Sequence, residues 1–116
     1  MNYMDHDKVN KLGSEIGMDN LPILLGIFTG ELVNYQAQLT TGSLSDKIDC
    51  MKEISHALKS SAASFGAEAL CEFALLVDGE VKTDSVHLDQ PRVDTMLIHL
   101  KETYTQYTHF LNELEN

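Results

Sequence analysis

Of the five histidines in this 116-residue chain, His56 is the one whose neighbours could support chemistry. A helix turns about 100° per residue, so numbering alone places His56 roughly 130° from the centre of its own helix's apolar stripe, facing solvent. By the same arithmetic Lys52, Glu53, Lys59, Ser60 and Ala63 fall within about 60° of it. An imidazole nitrogen is a nucleophile near neutral pH, and its neighbours here are the kind that receive an incoming dianion such as a phosphoryl group. Lys52 and Lys59 supply positive charge, Ser60 a hydrogen bond, and the small side chains of Ser60 and Ala63 leave a shallow surface for a docking protein. On these features alone the bland account competes strongly, since a helical surface histidine beside lysines is usually just a solvated face. The remaining histidines suggest no role: His6 is near a terminus, His87 falls in a loop, and His99 and His109 sit in the last helix, where polar neighbours are expected.

The elements that must hold His56 follow from apolar spacing. Leu21, Leu24, Phe28, Leu32, Tyr35 and Leu39 predict a helix over roughly 20–41, with Asp19 or Asn20 as cap and Pro22 in the first turn. After the break at Gly42, Ser45 is the expected cap of a second helix, with Asp46 and Asp49 near its positive end. Its stripe runs Ile48, Met51, Ser55, Leu58, Ala62, Phe65, up to Gly66, which marks a stop or a close helix crossing. Leu70, Phe73, Val77 and Val81 make a third stripe. Val93, Leu97, Leu100, Tyr104, Tyr107, Leu111 and Leu114 make a long fourth, after a loop from Thr83 to Gln90. No segment alternates at strand spacing. Short connections predict an all-α fold, an antiparallel four-helix bundle, with a short additional N-terminal helix around Val9, Leu12 and Ile16 covering one end. Residues 1–116 read as a single domain.

Composition narrows the function. A net charge of −10 repels nucleic acid and anionic membrane surfaces, which makes a folded protein the expected partner. The first residues do not read as a secretory signal, and the apolar run from Leu21 to Phe28 is too short to cross a bilayer, so a cytoplasmic protein is expected. Cys50 and Cys71 lack zinc or disulfide spacing and are expected to be helix residues, buried or partly so. Glu53-x-x-His56 matches one ligand pair of di-iron bundles, but such a site needs two pairs and further glutamates facing inward. No phosphate-binding G-x-x-x-x-G-K-[ST] loop is present, which disfavours an autonomous kinase. A helical adaptor without chemistry is the remaining alternative.

One stretch is more specific than any of these features. His56-Ala57-Leu58-Lys59-Ser60-Ser61-Ala62, followed by Gly66-Ala67, resembles the histidine phosphotransfer (HPt) domain family, whose motif reads H-x-L-K, three small residues, three of any type, then G-A. Ser60 departs from the glycine most common there, and Phe28 and Glu31 are similar to the F-x-x-E of an earlier helix. The resemblance implies a monomeric carrier without a cofactor of its own. His56 would accept a phosphoryl group from the receiver-domain aspartate of a hybrid sensor kinase and pass it to a downstream response regulator, Mg²⁺ belonging to the receivers. Lys59, Ser60 and Lys52 would stabilise the phosphoryl group. Ala57, Ala63 and Gly66, with Leu25 as a further rim candidate, would form the docking surface.

Overall fold

Apolar residues recurring every three or four positions wind the chain into five helices: α1 (His6–Ile16), α2 (Leu21–Leu39), α3 (Leu44–Phe65), α4 (Glu68–Lys82) and α5 (Gln90–Glu115). The structure is a computed structural model that describes residues 3–83 and 88–115, and no strand occurs among them. The loop expected from Thr83 to Gln90 falls partly on 84–87, outside the described residues, and so does His87. The long helices α2 to α5 form the expected antiparallel bundle: α3 lies along α4, α2 along α5, and α1 packs across α2 and α3 at one end. One continuous core draws on all five helices, including Val9, Leu21, Phe28, Leu32, Leu58, Leu70, Val77, Leu100 and Tyr107.

Helix ends follow side-chain chemistry more closely than the periodicity alone suggests. The cap of α3 is Ser43, not Ser45: its hydroxyl accepts from Asp46 N–H and the Asp46 carboxylate accepts from Ser43 N–H, each at 3.2 Å. That reciprocal pair satisfies two otherwise orphaned donors, which Ser45 with Ile48 three residues on could not do. At the start of α2, Asn20 occupies the cap position, but its amide donates back to the Ile16 carbonyl at 2.7 Å. The helix stops at Leu39, where the Thr40 and Thr41 hydroxyls take up carbonyls of the last turn.

Packing also selects between adjacent apolar residues. On α2 the buried row is Leu21, Leu25, Phe28 and Leu32, so Leu25 is fully buried and is no part of an exposed rim, while Leu24 is half-buried. Residues 24 and 25 point about 100° apart, and only one can sit at the centre of the face. On α5 the deepest row is Val93, Met96, Leu100, Thr103 and Tyr107; Leu97, Tyr104 and Leu111 flank it, and Leu114 is exposed. Phe28 stacks on Phe65 with ring centroids 4.7 Å apart and meets Tyr107 edge-on at 5.1 Å, joining α2, α3 and α5. The Tyr107 hydroxyl donates to the Phe65 carbonyl at 2.6 Å, and burial pushes its phenol well above its usual range. Cys50 and Cys71 are free, half-buried helix residues, as expected.

Gly66 is both a stop and a close crossing. It ends α3 in the left-handed conformation with φ +79°, its carbonyl accepts from Asp5 N–H at 2.8 Å, and a Cβ there would lie 3.1 Å from the Asp5 carbonyl oxygen. An L-residue in that conformation costs roughly 1–2 kcal/mol. Gly66→Ala is therefore expected to lower Tm by about 5–10 °C. An unchanged melting curve would show that the α1 junction yields freely.

His99 departs from expectation. It is buried, 8% exposed, stacked on Phe73 with ring centroids 5.0 Å apart and flanked by Tyr3 at 6.1 Å. The expected polar neighbours are not there: Ile98 and Leu100 adjoin it in sequence, and one turn away on either side stand Met96 and Thr103, both in the core. Burial lowers its pKa below the ordinary 6.5. The unfolded chain then takes up a proton that the folded ring refuses, so stability is fully present above about pH 6.5 and is lost as pH falls from there toward the folded-state pKa. His99→Gln should flatten the fall in Tm between about pH 7.5 and 5.5; an equally steep fall in the variant would assign the effect to another group.

Candidate functional site

His56 lies midway along α3 on its outward face, with 67% of its side chain exposed, where the helical arithmetic puts it. The core face of the same turn is held by Ile54, Ser55 and Leu58, all buried, so the ring stands on a rigid platform. Across the α3–α4 contact, Asp78 Oδ1 lies 3.4 Å from His56 Nδ1. Asp78 Oδ2 accepts from Lys59 Nζ at 2.9 Å and pairs with Lys82 Nζ at 3.0 Å. The Asp78 side chain is only 10% exposed, and the hydrogen bond from Lys59, then that from Lys82, outweigh desolvation and hold its carboxyl down to about 2. It is ionised throughout the physiological range.

An ionised carboxylate can only accept, so the proton of a neutral His56 ring belongs on Nδ1. Nε2 is then left with its lone pair directed away from Asp78, toward solvent. The arrangement can therefore present a nucleophile of fixed tautomer on an exposed surface, beside two ammonium groups anchored to the same carboxylate.

The other expected residues distribute unevenly. Lys59 is 24% exposed and reaches the site through Asp78. Lys52 and Ser60 are exposed on the His56 face, and neither side chain makes an ion pair or hydrogen bond among the described residues. Ala57 is exposed and Ala63 half-buried beside them. Gly66 is not on the surface: it is buried under the start of α1 with its carbonyl engaged by Asp5, and it shapes the floor of a groove of about 280 Å³ lined also by Ala62, Ala63 and Cys71. Glu53 and His56 both point outward, opposite to what an interior di-metal site needs. His109 pairs with Glu113 at 2.8 Å on the surface, and His6 meets Phe110 edge-on.

Asp78 and Lys82 were not singled out in the sequence, although a signal for Asp78 exists. Gly66 and Ala67 join α3 to α4 in a tight turn, and in a helical hairpin residues equidistant from the turn lie level with one another. His56 and Asp78 each stand eleven residues from Ala67. Lys82 follows one turn later, at the spacing of a helical ion pair.

Comparison with known proteins identifies relatives over nearly the whole chain. A family model described as Hpt domain matches residues 23–115. Among curated proteins, the chain is similar to the phosphorelay protein LuxU of Vibrio cholerae serotype O1, 44% identical over 106 residues that cover 91% of this chain and 94% of the relative. It is also similar to LuxU of Vibrio vulnificus, 44% identical over 92% of this chain and 93% of the relative. LuxU of Vibrio harveyi is 42% identical over 94% and 96% respectively. No solved structure matched significantly.

Proposed function

The chain belongs to the Hpt domain family, and from that premise we propose that it is a phosphorelay intermediate carrying a phosphoryl group on His56. The observation that carries this reading is the exposed His56 ring with Nδ1 against an ionised Asp78. In the accepting step, the Nε2 lone pair forms an N–P bond as the O–P bond of a receiver's aspartyl phosphate breaks. The aspartate leaves as a carboxylate, and the ring, still protonated at Nδ1, becomes a cation that Asp78 stabilises. In the donating step the same bonds are exchanged in reverse with a second aspartate, and the ring leaves neutral. Neither step requires a proton to move.

Phosphoryl transfer depends mainly on in-line placement and neutralisation of the transferring oxygens, so the Mg²⁺ and lysine of the receiver share that work. On this chain Lys59, Ser60 and Lys52 border the position of the phosphoryl group, and Ala57 and Ala63 leave room for the receiver. The likeness to LuxU supports quorum-sensing signalling in which a hybrid sensor kinase's receiver donates and a LuxO-like response regulator accepts. The carrier works as a cytoplasmic monomer and has no ATP-dependent kinase activity of its own; the absence of a G-x-x-x-x-G-K-[ST] loop supports the last point. Among the described residues no helix is long and apolar enough to cross a membrane.

Incubation with a receiver domain bearing radioactive phosphate tests this reading. Acid-labile, base-stable label on the chain is expected. A receiver panel that loses its phosphate only to water would leave an adaptor without chemistry as the better account.

A further inference from the structure

Oδ2 of Asp78 holds two ammonium groups, while Oδ1 faces, among the described residues, only His56. One of those cations is therefore redundant for holding the carboxylate in place. The two differ in freedom: the Lys59 side chain, reaching from α3 to α4, is 24% exposed, whereas the Lys82 side chain is 61% exposed at the last residue of α4. Removing Lys82 from Oδ2 leaves Asp78 paired with Lys59 and still facing the ring. Removing Lys59 would take away the better-buried partner and strand a largely desolvated carboxylate.

On that asymmetry, and resting on the carrier reading above, we propose that Lys82 is a phosphoryl-binding residue that leaves Asp78 for the phosphoryl oxygens once His56 is loaded. A dianion on Nε2 is a stronger electrostatic attractor than a carboxylate already neutralised by Lys59, and the Lys82 ammonium and the His56 ring meet the two oxygens of one carboxylate, at 3.0 Å and 3.4 Å. Lys59 stays in place and keeps Asp78 against Nδ1. The two lysines paired with Asp78 thus divide between fixing the nucleophile and receiving its cargo. No covalent step is added: the ammonium exchanges one anionic partner for another and keeps its proton.

The test compares wild type with Lys82→Met, which keeps the apolar stem and removes the charge, and Lys82→Arg, which restores it. Each is loaded from a phosphorylated receiver, separated from it, and followed by ³¹P NMR. Lys82→Met should still be labelled at His56, with a phosphoryl titration midpoint moved to higher pH, a phosphohistidine lifetime shortened about three- to tenfold, and both restored by Lys82→Arg. A merely structural ion pair would move the melting temperature and leave the phosphoryl titration alone, and an exposed pair contributes little to stability in any case. Normal loading of Lys82→Met with an unchanged midpoint and lifetime overturns the role of Lys82 and leaves the carrier reading standing. Failure of the wild type to load from any receiver overturns both.

Discussion

His56→Gln abolishes transfer: with a phosphorylated receiver in excess, the variant acquires no acid-labile label while the wild type does. Glutamine preserves polarity and reach but has no ring nitrogen with a free lone pair, so the N–P bond cannot form. Nothing nearby substitutes. Ser60 is a hydroxyl without a base, and the ammonium groups of Lys59 and Lys82 are protonated partners of Asp78. The fold should be indifferent to the change, because the side chain is 67% exposed and its packing role is minor. Circular dichroism and a Tm within a few degrees of wild type would confirm that the lost label reflects lost chemistry, since surface substitutions of this kind usually stay within about 0.5 kcal/mol. Label on the variant at a comparable rate would place the phosphoryl group elsewhere.

The second large effect belongs to Asp78, which does not touch the phosphoryl group and acts through the ring. Asp78→Asn keeps size and shape but removes the charge that fixes the proton on Nδ1 and balances the cationic ring of the phosphorylated state. The accepting step should slow by roughly ten- to a hundredfold, the loss expected when a charge-assisted hydrogen bond is replaced by a neutral one, while the donating step, in which a cationic ring leaves neutral, should not slow. Receiver docking should persist, so the loss appears in the single-turnover rate at saturating receiver and not in the concentration dependence. Stability carries an independent signature. The Asp78 carboxyl is lowered from 3.8 to about 2, so its contribution is present above the unfolded value and is lost as pH falls from there toward 2. The asparagine variant should lack that part of the acid transition. Single-turnover accepting rates within about twofold of wild type would remove Asp78 from the mechanism.

Much of the architecture was legible in the apolar spacing, because four amphipathic helices with short connections leave few ways to bury their stripes. Adjacent apolar residues were not: Leu24 and Leu25 both fit a helical stripe, and only the packing of α2 against its neighbours decides that Leu25 goes inward. The burial of His99 was legible, since Ile98 and Leu100 adjoin it and Met96 and Thr103, both in the core, stand one helical turn away. Of the site, His56 and its outward direction were readable from numbering within one helix. Its orienting group was not, because Asp78 comes from another helix, and a level pairing across the hairpin depends on how tightly Gly66 and Ala67 turn the chain. Lys82 was hidden by the same step, having no meaning at His56 until Asp78 is in place.

The proposed mechanism turns on the state of one imidazole ring. Long-range ¹H–¹⁵N correlation spectra of the His56 side chain, recorded before and after loading from a phosphorylated receiver, report both ring nitrogens directly. The expected result is an Nδ1-protonated neutral ring that acquires phosphorus on Nε2 and keeps its Nδ1 proton. A free ring protonated on Nε2, or phosphorus found on Nδ1, would contradict the role of Asp78 and the direction of attack on which the mechanism rests.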